Sequence, residues 1–67
     1  MIRVDYYDLE YKLDSMDSDC EYVEKIPTMK AALRMASHTK KRYGTRLVLL
    51  DIKGFKDGVL ERHIDII

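Results

Sequence analysis

One cysteine, one proline and three glycines are all that the 67 residues hold of the types that most often staple or interrupt a chain. A lone Cys20 forms no internal disulfide, which excludes the disulfide-rich scaffolds of small secreted domains. So little Pro and Gly leaves no linker, and residues 1–67 are expected to make a single small domain. Long apolar runs are missing as well. The longest internal one is Leu47-Val48-Leu49-Leu50, far short of the roughly 18–20 residues that a membrane helix needs. The opening Met1-Ile2-Arg3-Val4-Asp5 turns acidic at once and has no signal-peptide core. A cytoplasmic setting is therefore expected, with no membrane partner.

Chemical signatures are absent too. There is no phosphate-cradling or dinucleotide-binding glycine loop, no paired-cysteine motif and no HExxH. Nothing around Cys20 marks it as a nucleophile for His38 or His63. Carboxylates are so plentiful that no pair of them points to acid–base catalysis. The acidic stretch Asp14, Asp17, Asp19, Glu21 lacks the central Gly and terminal Glu of a calcium loop. No enzyme activity, cofactor or metal site is expected.

Against these gaps stands a hydrophobic content of 46%, enough for a core. With zero net charge it is also too much for a disordered chain. A chain this short buries only about 60% of its unfolded surface, so a homo-oligomer, in the simplest case a dimer, is a natural way to bury more.

Five elements follow from the pattern. Ile2 to Leu13 reads as a strand with two apolar sets out of phase: Ile2, Val4, Tyr6, and then Leu9, Tyr11, Leu13. A bulge near Tyr6-Tyr7-Asp8 would bring both to one face. The rival is a straight strand with Tyr7, Leu9, Tyr11 and Leu13 on the opposite face. Asp14 to Asp19 is a polar hairpin loop, and Cys20 to Lys25 the returning strand. Thr28 N-caps a helix whose apolar stripe is Met29, Ala32, Leu33, Ala36 and Tyr43, widened by Ala31 and Met35. Lys40, Lys41 and Arg42 complement its dipole, and Gly44 ends it in a left-handed conformation. Arg46 to Lys53 reads as an inner strand, Asp57-Gly58 as a two-residue hairpin turn, and Val59 to Ile67 as the last strand. The expected fold class is α+β, β-β-α-β-β: a four-stranded, mainly antiparallel sheet with one helix packed on one face. Strand order stays open, because the connection through the helix allows the second hairpin to pair with either edge of the first.

Zero net charge conceals a segregation. Residues 1–24 hold eight acids against Arg3 and Lys12, residues 25–56 hold nine bases against Asp51, and residues 57–67 hold three acids against Arg62. The first hairpin interleaves carboxylates with large rings in Asp5-Tyr6-Tyr7-Asp8-Leu9-Glu10-Tyr11. Tyrosine anchors flanked by charge suit an interface, so Tyr7, Asp8, Glu10 and Tyr11 are the candidate partner-binding residues. The open sheet face is a second candidate surface, with apolar residues drawn from Leu47, Leu49, Val59 and Ile67, joined by Tyr7 and Tyr11 if the bulge is absent.

The expected function is thus a small non-catalytic protein-interaction module that binds another protein. In size and style it looks like the accessory proteins with which phages and mobile elements inhibit or regulate host factors. The alternative is binding of nucleic acid, a nucleotide or another anion at Lys40, Lys41, Arg42 and Arg46. The balanced net charge and the scarcity of rings among those bases make this second in rank. His63 is expected to pair with Glu61 or Asp65 on its own strand face.

Overall fold

A computed structural model describes residues 3–14 and 20–67. The elements run β1 (Tyr6–Leu13), β2 (Glu21–Ile26), α1 (Met29–Tyr43), a single 3₁₀ turn (Gly44–Arg46), β3 (Leu47–Lys56) and β4 (Val59–Asp65). The strands form one antiparallel sheet in the order β2-β1-β3-β4. The helix lies across one face, on β1 and β3 and less on β2, and β4 stays largely exposed. This is the β-β-α-β-β fold predicted from the sequence. Strand order follows burial: β1 and β3 carry most of the buried residues and take the two central places. No helix among the described residues is long and apolar enough to cross a membrane. Ile2 and most of the expected hairpin loop lie outside the described residues.

The bulge expected near Tyr6-Tyr7-Asp8 is not found in β1, which pairs regularly with β3 through Tyr6–Phe55, Tyr7–Gly54 and Asp8–Lys53. The rival straight strand is the observed one. Tyr7, Leu9 and Leu13 are buried, with Tyr11 packed beside them, because the helix supplies the partner that this set required. Tyr6 points to the other face and stacks on Phe55 at 5.3 Å. The extra residue sits in the neighbouring strand instead. Tyr7 pairs with Ile26 and Leu9 with Val23, so β2 has one residue more than β1 over that interval. Lys25, inside it, has a φ of 57°. A second extra residue falls in β4, where Gly54 pairs with Arg62 and Phe55 with Leu60, leaving Glu61 unmatched.

Leu9, Leu50 and Ile52 form the fully buried centre of the core. The helix meets them through Ala32 and Ala36, whose small side chains let the two layers approach closely. Leu33, expected on that stripe, is 47% exposed. One residue advances a helix by about 100°, which carries Leu33 from the floor to the flank. Thr28 caps the helix as predicted, its Oγ1 accepting the Ala31 N–H at 3.1 Å. Gly44 ends it, donating its N–H to the Lys40 carbonyl. Its φ of 55° is positive as expected, but a ψ of −126° lies outside the left-handed helical region and suits glycine almost alone. Gly54, in mid-strand, answers a different need. A Cβ there would stand 3.0 Å from Tyr7 Cε1 and 3.1 Å from Val4 Cγ1, so the Tyr7 ring occupies the space a side chain would take.

Candidate functional site

Residues paired across neighbouring strands share a face, so the registers draw the open side of the sheet row by row. One row runs Tyr22, Glu10, Asp51, Asp65 from β2 to β4. The next holds Asp8, Lys53 and His63, and the third Tyr6, Phe55 and Leu60. Only the third is apolar. Half-buried Leu49 follows on the same face opposite Lys12, so apolar residues stand at both ends of the face with polar rows between them, and no continuous apolar face is present. Leu47 and Tyr7 are buried on the helix side, and Tyr11 packs there too. Val59 and Ile67 are exposed, but they lie eight positions apart along the chain, or about 26 Å at ~3.3 Å per residue. They do not make one patch.

The polar rows are internally connected. Tyr22 hydrogen-bonds through its side chain to Glu10, and that bond, reinforced by the carboxylate's charge, pushes the Tyr22 phenol up to about 12. Lys53 Nζ lies 3.7 Å from Glu10 Oε1. His63 Nε2 lies 3.2 Å from Asp65 Oδ1 and equally 3.2 Å from Asp51 Oδ2. The Asp65 contact is the expected one; Asp51, only 5% exposed, is not. Among the described residues, Asp51, His63 and Asp65 are the one set whose ligand atoms converge closely enough to share a metal ion. The sequence reading missed it because Asp51 reaches the other two only through the β3–β4 register. The available signal was a His and an Asp two residues apart on a strand, just after a tight turn and opposite an acid.

On the helix side the predicted residues divide. Tyr7 is buried beneath α1, and Asp8 and Glu10 face the open side, where Asp8 Oδ1 accepts the Lys25 N–H at 3.0 Å. Tyr11 alone of the hairpin set reaches an accessible hollow. Its ring stacks on Tyr43 at 5.5 Å, and a side-chain hydrogen bond to Tyr43, more than burial, raises its pKa above the ordinary tyrosine value. The Arg42 guanidinium lies 5.5 Å from the Tyr43 ring centre. These groups wall a groove of about 480 Å³ between α1 and β2, floored by Leu9, Val23 and Met35. One member of each predicted set, Tyr11 and Arg42, thus meets the other through Tyr43.

The rest of the basic set does not converge. Lys40, Lys41 and Arg42 are consecutive and fan around the helix at about 100° intervals. Arg46 sits 3.8 Å from Asp14. Lys41 instead joins Lys30, Arg34 and His38 around a shallow hollow on the outward side of α1. The whole helix carries no acid, whereas Asp8, Glu10, Asp51 and Asp65 lie on the opposite side of the sheet. The helix layer is thus basic, while the sheet's open face mixes these acids with Lys12, Lys53 and His63.

Comparison of this chain with protein-family models, with curated proteins and with solved structures finds no match.

Proposed function

We propose that the protein is a non-catalytic interaction module that takes an acidic, partly apolar segment of another protein into the groove between α1 and β2. One observation carries this reading: Val23 and Met35, both at least 38% exposed, lie beside the Tyr11–Tyr43 stack and Arg42 in one concave surface. The size falls within the range of ligand-binding clefts, which combine an apolar lining with a few oriented polar groups. An apolar side chain fits against the exposed Val23 and Met35, and a neighbouring carboxylate is drawn to Arg42. The absence of acids from α1 removes the repulsion such a segment would otherwise meet. A cytoplasmic setting accords with the free thiol of Cys20.

A second reading has its own observation. Lys30, Arg34, His38 and Lys41 line the outward face of the helix, a form suited to phosphates of a nucleic acid. Amide chemical-shift mapping separates the two. Short acidic peptides carrying one Leu or Phe are expected to move Tyr11, Val23, Met35 and Arg42, and Met35→Asp to abolish the effect. A single-stranded oligonucleotide that instead moves Lys30, Arg34 and Lys41, with the peptides inert, would overturn the groove reading.

A further inference from the structure

We propose that Asp51, His63 and Asp65 bind one divalent transition-metal ion, of which Zn²⁺ is the representative, and that the ion pins β4 to β3. Three observations converge. The first is a distance. His63 Nε2 stands 3.2 Å from an oxygen of each carboxylate. Charge-assisted N–H···O bonds run about 2.7–2.9 Å, and one N–H cannot point along two of them at once. Two ligands on a tetrahedral zinc ion, with bonds of about 2.0–2.1 Å, stand roughly 3.3 Å apart. One N–H serves only one of these two contacts, and the spacing is equally that of ligands around one cation.

The second observation is a buried atom. Asp51 is 5% exposed, and its Oδ1 meets no hydrogen-bond donor among the described residues. A buried carboxylate left half-satisfied is costly, and a dication beside it removes that cost. Lys53, the nearest cation in the adjoining row, lies against Glu10 instead. The third is the register. Asp51 and Asp65 are direct cross-strand partners, an arrangement that repels unless a positive charge sits between them.

An imidazole with two carboxylates suits a borderline ion such as Zn²⁺ over Mg²⁺ or Ca²⁺, which prefer an all-oxygen shell. The role follows from the fold. Helix α1 leaves β4 largely uncovered, and a metal clip between β3 and β4 supplies the staple that a 67-residue domain otherwise lacks.

The test is calorimetric titration of Zn²⁺ into the full chain carrying Cys20→Ser, which removes the competing thiol, together with thermal unfolding. Saturable one-to-one binding and a raised unfolding midpoint are expected. His63→Ala and Asp65→Asn, both on exposed positions of β4, are expected to weaken binding at least about tenfold and cancel the rise. His38→Ala is expected to change neither. The imidazole ¹⁵N resonances of the unsubstituted histidines give a reading that does not depend on any variant folding: Zn²⁺ should shift Nε2 of His63 and leave His38 in place. Absence of one-to-one binding, binding that survives both β4 substitutions, or equal affinity for Mg²⁺ would each overturn the proposal.

Discussion

Asp8 and Lys25 fix the irregularity of the first hairpin between them. The Asp8 carboxylate accepts the Lys25 backbone N–H at 3.0 Å where Lys25 turns to a φ of 57°. A non-glycine residue in that region is strained by about 1 kcal/mol or more. Asp8→Ala is expected to lower stability by about 1 kcal/mol, and Asp8→Asn, which keeps the acceptor, by much less. Lys25→Gly is expected to raise stability by relieving the strain. Urea unfolding midpoints check all three, and equal losses for the two Asp8 variants would show that charge rather than the hydrogen bond matters.

Gly54→Ala is expected to destabilise by roughly 1–2 kcal/mol, because the new methyl presses on the buried Tyr7 ring and overpacking outweighs the backbone entropy gained. The same change in a Tyr7→Leu background is expected to cost less. Additive losses in that double-mutant cycle would contradict the contact.

Alkaline titration tests the Tyr22–Glu10 bond. Its phenol is raised from 10.0 to about 12, so the neutral form is the one favoured by folding. The contribution is complete below about pH 10 and is lost as pH rises toward 12, since the unfolded chain releases its proton first. Tyrosinate absorbance should show a late component that Tyr22→Phe removes. Glu10→Gln is expected to bring that component back toward 10 by removing the charged acceptor.

Self-association, which the sequence suggested through an apolar open face, now has charge as its support. A basic helix layer on one side and the carboxylates of the mixed sheet face on the other favour head-to-tail contact between copies. Sedimentation at low ionic strength is expected to show weak, concentration-dependent association that disappears at high salt, where screening acts within a few ångströms. A dimer that persists at high salt would identify Val59, Leu60 or Ile67 as the joining contact instead.

Local signals were legible in the chain and nonlocal ones were not. Thr28 and Gly44 bound the helix through interactions with residues three or four positions away, so a short window reveals them. The phase of β1 was misread because Tyr6 and Tyr7 are chemically alike, and only Phe55 and Gly54 across the sheet decide which ring faces the helix. The groove needed α1 and β2 together, and its Tyr11 and Arg42 had been assigned to competing surfaces. Asp51 stood as the one acid in a basic stretch, and nothing in its neighbours along the chain announced His63.

Both outermost strands carry a residue too many, in β2 at Lys25 and in β4 at Glu61. A neighbouring molecule trying to zip its backbone along either rim falls out of step within a few bonds, and meets a charged side chain where it does so. The sheet therefore stops growing at four strands, and crowded copies of this small chain are steered away from fibrils.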